Sequence, residues 1–135
     1  MDPTRLAPIP LFADLGPDRL ERVAAACNEL HVDEGETLLR EGDFGYSLFA
    51  ITAGTAEVLQ DGVVIRTLRP GDVFGEIAVL SGGRRTATVV ATSALELMVL
   101  FNRDLWRLEH NAPDVVAALR ETIAARLGEP AVTGS

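Results

Sequence analysis

The chain contains no lysine; all 12 of its cations are arginines, set against 20 acids for a net charge of −8. That balance argues against DNA, RNA and other polyanions as partners, because their affinity comes largely from neutralising many phosphates. The missing lysine itself reads as a composition bias, although arginine does suit bidentate anion sites. A single cysteine, Cys27, excludes a disulfide framework and predicts a reducing, cytoplasmic setting, with Cys27 as a small core residue on a helix. The longest uncharged run, Phe44 to Ala56, has 13 residues and two glycines. It falls short of the roughly 18 apolar residues that suggest a membrane span, and no basic, apolar leader opens the chain. The two histidines, His31 and His110, lie outside any His-x-His or Glu-x-x-His pattern, so no metal site is expected and both read as solvent-facing or capping. Without a Gly-x-Ser-x-Gly elbow, and with Cys27 lacking a nearby base, nucleophilic catalysis has no support and no resident cofactor is implied.

What is present fits one small domain over residues 1–135, 47% hydrophobic and long enough to bury a core. An arm over 1–16 precedes a helix over 17–28, with Pro17 in its first turn and Leu20, Val23, Ala24 and Cys27 on one face. From 29 to 101 the chain is short β-rich segments punctuated by Asp33-Glu34-Gly35, Glu41-Gly42-Asp43, Ala53-Gly54, Asp61-Gly62, Pro70-Gly71 and Gly82-Gly83. This spacing predicts a mainly β protein with flanking helices, a small β-barrel or jelly roll. Asp61-Gly62, between Val58-Leu59 and Val63-Val64-Ile65, is a hairpin signal. Two helices are expected over 102–127: one capped by Asn102 and ending near Glu109, one capped by Asn111 with Pro113 and Asp114 in its first turn. Trp106 on the first of them reads as core packing, or as a residue that seats the helix against a binding segment. Residues 128–135 read as a frayed tail.

One segment carries chemistry. Between Glu76 and Arg85, nine residues apart, lie a short apolar run and the Gly82-Gly83 turn. Gly75 through Leu80 is long enough for one or two helical turns whose first amides are free to face an anion. The turn would return Arg85, a planar five-donor fork, toward those amides. Glu76 would repel a phosphate there unless it accepts from a donor such as a sugar hydroxyl.

This segment, with Phe74-Gly75-Glu76 and Arg84-Arg85-Thr86-Ala87, resembles the phosphate-binding cassette of the cyclic nucleotide-binding domain family, over 74–89. Pro10-Leu11-Phe12 with Leu15, Gly35-Glu36, Gly42-Asp43, Ser47 to Ile51 followed by Gly54, and Gly71-Asp72 extend the resemblance along nearly the whole chain. Many members carry proline where this chain has Arg84. The resemblance implies that Glu76 binds the ribose 2′-hydroxyl and Arg85 the cyclic phosphate. Amides of Gly75, Ile77 and Ala78 would complete the cradle, with Thr86 beside them. It also places Val58, Arg66 and Leu68 where relatives contact the base. Val58 and Leu68 read equally well as strand packing, and Arg66 as stacking on the purine or pointing to solvent.

The implied function is that of a non-enzymatic sensor of cyclic AMP, ahead of cyclic GMP, that converts occupancy into movement of the last two helices. Arg126 stands where channel-type relatives cap the purine, and otherwise reads as a solvated residue at a helix end. Any effector lies outside this chain. The alternative is an interaction module that keeps the barrel and no longer binds nucleotide.

Overall fold

The computed structural model describes residues 2–13, 15–44, 47–75 and 85–127. The elements run α1 (Pro3–Leu6), a 3₁₀ turn (Pro10–Phe12), α2 (Pro17–Ala26), β1 (Asn28–Val32), β2 (Thr37–Leu39), β3 (Leu48–Ala53), β4 (Ala56–Gln60), β5 (Val63–Leu68), β6 (Val73–Phe74), β7 (Thr88–Ala91), β8 (Leu95–Leu100), α3 (Asn102–Asn111) and α4 (Pro113–Leu127). The strands form two antiparallel four-stranded sheets, ordered β1-β8-β3-β6 and β2-β7-β4-β5. The expected mainly β architecture with flanking helices is present. The sheets stack as a jelly-roll sandwich and do not close into a barrel, which corrects the narrower of the two expectations.

Within the β1-β8-β3-β6 sheet, β3, β6 and β8 are buried on both faces, whereas β1 is exposed except at Val32. Leu48, Ala50, Met98 and Leu100 face a core built with Leu6, Phe12, Val23, Leu108, Val115 and Leu119 of the helical layer. Their neighbours Phe49, Ile51, Leu97 and Val99 face a second core, shared with Val58, Leu68, Phe74 and Val89 of the sandwich. Alternate side chains of one strand thus enter different cores, so β3 and β8 read as nearly continuous apolar runs. In β6 the split falls within a dipeptide. Val73 belongs to the helical core and Phe74 to the sandwich core.

Asp61 and Gly62 both take positive φ, 51° and 78°, the combination a two-residue type I′ hairpin turn requires. Ile65 is an extra residue in β5, since Val58 pairs with Arg66 and Leu59 with Val64.

Three local expectations are corrected. Cys27 is buried but follows α2 in extended geometry (φ −78°, ψ 150°). Asn102 and Asn111 begin and end α3 rather than capping helices. The Asp104 carboxylate accepts from the Phe101 N–H at 3.0 Å, and Ala112 forms the junction to α4. Trp106 is 63% exposed and stacks on His110 with centroids 5.2 Å apart, so it is not core. The arm also holds more structure than expected: Asp2 caps α1 through Thr4 N–H, and Leu6, Ile9, Leu11, Phe12 and Leu15 are buried.

Candidate functional site

β6 delivers Phe74 against Phe49 of β3, the two residues opposite in register and their rings stacked 4.9 Å apart at 4°. Gly75 follows with φ 80°; a Cβ on it would lie 2.6 Å from the Ser47 carbonyl oxygen and 2.9 Å from Arg85 Nη1. Only a residue without a side chain fits both that backbone conformation and that space.

Arg85 approaches from the strand side, just before β7. Its N–H donates to Asp43 O at 2.7 Å and its carbonyl accepts from Gly42 N–H at 2.9 Å. The guanidinium donates from Nη1 to Gly75 O at 3.3 Å and from Nη2 to Ser47 O at 3.1 Å. Arg85 is 8% exposed, the one buried charged residue among those described, and burial pushes its pKa below the ordinary arginine value. Its described partners are neutral carbonyls that use two of its five N–H donors. A desolvated cation in such surroundings favours the approach of an anion, because a buried charge is costly until an opposite charge joins it.

Thr86 is exposed and its carbonyl accepts from Gln60 Nε2 at 3.1 Å. The hairpin tip is stitched to the same region: Glu41 N–H donates to Thr88 Oγ1 at 3.0 Å, and Glu41 Oε1 accepts from Asp61 N–H at 3.2 Å. Val58, Arg66 and Leu68 share one face of the β4–β5 hairpin, through the pairs Val58–Arg66 and Ala56–Leu68. Val58 and Leu68 are 1% and 0% exposed within the sandwich core. The Arg66 guanidinium lies 3.9 Å from Asp72 Oδ1, and Asp72 Oδ2 accepts from Arg69 N–H at 2.8 Å. Arg126 falls in the last turn of α4; its side chain, like Glu76, Ile77, Ala78 and the Gly82-Gly83 turn, lies outside the described residues.

Sequence reasoning missed Ser47 and Asp43, which act through backbone carbonyls and so carry no side-chain signal. It also missed the Phe49–Phe74 stack, for which the two aromatics on neighbouring strands were the available sign. His31 lies at the surface, its Nδ1 3.7 Å from Glu96 Oε1. Among the described residues no group of three or more His, Cys, Asp or Glu is placed to hold a metal ion. No described helix is long and apolar enough to cross a membrane.

Residues 29–111 match the cyclic nucleotide-binding domain family. The chain belongs to that family. It is 33% identical over 126 residues to a cyclic nucleotide-gated potassium channel of Mesorhizobium japonicum, covering 93% of this chain and 35% of the channel. It is 29% identical over 125 residues to the cyclic AMP receptor protein of Thermus thermophilus, covering 89% of this chain and 58% of the receptor. The crystal structure of the N-terminal domain of a transcriptional regulator from Streptomyces coelicolor superposes with a TM-score of 0.78 at 29% identity, covering 100% of both chains. The chain therefore spans about a third to three-fifths of the length of these two curated relatives.

Proposed function

We propose that this cyclic nucleotide-binding domain takes cyclic AMP ahead of cyclic GMP and serves as a non-enzymatic sensor whose C-terminal helices respond to occupancy. The observation that carries the reading is Arg85, buried against Gly75 and Ser47 with only neutral carbonyls as its described partners. A cyclic phosphate brings one negative charge and oxygens for the remaining donors, which offsets the desolvation of the guanidinium. In this reading Glu76 accepts from the ribose 2′-hydroxyl, and the amides of Gly75, Ile77 and Ala78 with Thr86 complete the phosphate cradle. Val58 and Leu68, buried in the sandwich core, lie behind the strand surface over which the base would sit. Arg66 and Arg126 are its two candidate caps.

Base choice rests on little. The exposed Thr86 hydroxyl would accept from a guanine amino group, a contact worth only about 0.5–1.5 kcal/mol net, so discrimination against cyclic GMP is modest.

Coupling is supported by β6. Val73 belongs to the core that residues of α3 and α4 also build, Phe74 to the sandwich core, and Gly75 follows at once. A shift of the cassette on binding would therefore pull on both cores. Residues 1–135 act as one domain in this account, working in the cytoplasm, and the effector is supplied from outside this stretch. Calorimetric titration with cyclic AMP, followed by competition with cyclic GMP, tests the reading. A cyclic GMP preference beyond about a hundredfold would exceed what one hydroxyl can supply and overturn the ligand assignment.

A further inference from the structure

Six large apolar side chains are exposed among the described residues, and three of them, Val63, Val64 and Ile65 at 63%, 46% and 44%, are consecutive in β5. β5 is an edge strand that pairs with β4 alone, Val63 opposite Gln60 and Val64 opposite Leu59. Among the described residues its outward N–H and C=O groups have no strand partner. Apolar residues on such an edge favour pairing with another strand over exposure to water. The edge is also held in place. Asp61 N–H donates to Glu41 Oε1 at 3.2 Å and Gln60 Nε2 to Thr86 O at 3.1 Å, which tie the hairpin to the rest of the sandwich.

The charges along this edge select its occupant. At the turn end stand the Asp61 carboxylate and, beside its N–H, Glu41; at the other end stand Arg66 and Arg69. Arg66 already reaches Asp72 at 3.9 Å, whereas Asp61 and the Arg69 guanidinium have no ion-pair partner among the described residues. A strand that is acidic at its start, apolar in its middle and basic at its end is complementary to itself when run antiparallel. A chain of net charge −8 otherwise repels its own copies. A self-pairing surface on it must carry its own cations, as this edge does.

We infer that β5 is a self-association edge: two copies of the chain pair antiparallel through it and join their β2-β7-β4-β5 sheets into one. With Ile65 on the two-fold axis, Val63 stands opposite Thr67 of the second copy and Asp61 opposite its Arg69, an isologous contact that closes as a dimer. The bulge at Ile65 adds twist and confines the pairing to a short stretch. β5 has only 6 residues, so the contact falls well below the roughly 800 Å² per partner of a standard interface. The dimer is accordingly weak. The pairing involves neither Glu76 nor Arg85.

Sedimentation equilibrium of the full chain, with amide chemical shifts followed from about 20 μM to about 1 mM, covers the range in which so small a contact becomes populated. Reversible dimerisation is expected, with concentration-dependent shifts centred on residues 61–69. Ile65→Lys should leave the chain monomeric throughout, as a lysine on a sheet edge blocks pairing. Asp61→Lys and Arg69→Glu should each weaken the dimer about fivefold or more, since each sets like charges opposite one another twice per dimer. The double variant should return to within about twofold of the wild type. Circular dichroism verifies that each variant is folded, and Val63→Lys, at the most exposed of the three positions, repeats the first test if Ile65→Lys is not. A chain that stays monomeric at the highest concentration, or shifts that map to another face, would overturn the proposal. So would a dimer that both edge lysines leave intact, or a double variant no tighter than the single ones.

Discussion

Arg85 and Gly75 are fitted to each other: Arg85 Nη1 donates to the Gly75 carbonyl at 3.3 Å, and a methyl group on Gly75 would stand 2.9 Å from that same nitrogen. Gly75 holds φ 80°, so its replacement strains the backbone and displaces the guanidinium in one step. Gly75→Ala is expected to cost about 1–3 kcal/mol of folding stability and to weaken cyclic AMP binding as well. Urea unfolding and calorimetry on the same sample check both. An unchanged affinity would show that the Gly75–Arg85 contact is not part of the binding site.

A second expectation separates function from stability at Arg85. Substituting Met removes a desolvated cation but leaves the Ser47 and Gly75 carbonyls short of a donor, two effects that oppose each other. Without ligand, the unfolding free energy of Arg85→Met should stay within about 1–2 kcal/mol of the wild type. With cyclic AMP at about a hundred times its wild-type Kd, the wild type should gain roughly 2.7 kcal/mol and the variant less than about 1 kcal/mol. Equal ligand stabilisation of both proteins would remove Arg85 from the site.

The C-terminal helix supplies a third. Val115, Val116 and Leu119 are buried at 0%, 2% and 1% exposure in the helical core, so the first half of α4 is docked there. Saturating cyclic AMP should raise hydrogen-exchange protection mainly beyond residue 119. Truncation after Leu119 should weaken binding and leave the sandwich folded. Protection over 115–127 that does not respond to ligand would show that this helix is not the moving element.

Cys27 gives a pH dependence. Burial pushes its thiol from an ordinary 9.0 up to about 12, so the native state favours the protonated form. That contribution is fully present below about pH 9 and is lost as pH rises toward 12, at no more than about 1.4 kcal/mol per pH unit. Urea midpoints at about pH 8 and pH 10.5 should diverge more for wild type than for Cys27→Ala. Identical slopes would place the thiol in solvent.

Much of this molecule was legible in the residue order because local rules and tertiary demands agree. Asp61-Gly62 names its own turn, and Glu76 with Arg85 names a family. The two-sided burial of β3 and β8 follows from apolar runs too continuous for a half-exposed strand. Trp106 was misread because a large aromatic on an amphipathic helix usually faces the core, whereas here Leu108 and Ala112 fill that place. The helix junction was displaced because Asn111 looks like a cap, yet the chain turns at Ala112, whose N–H still donates to Leu108 O at 2.7 Å. For Val58 and Leu68, one alternating pattern serves a core wall and a base floor equally well. The carbonyls of Ser47 and Asp43 had no sequence signal at all.

The most direct measurement is a calorimetric titration of cyclic AMP into the wild-type chain and into Arg85→Ala and Glu76→Ala. Saturable binding at one site per chain is predicted, weakened by about 2–4 kcal/mol in Arg85→Ala through loss of a charge-assisted bidentate contact, and by somewhat less in Glu76→Ala. A wild-type chain that takes up no cyclic AMP, or affinities within about twofold of wild type for both variants, would contradict the account, since one lost contact of this kind is worth far more than the roughly 0.4 kcal/mol that a twofold change represents.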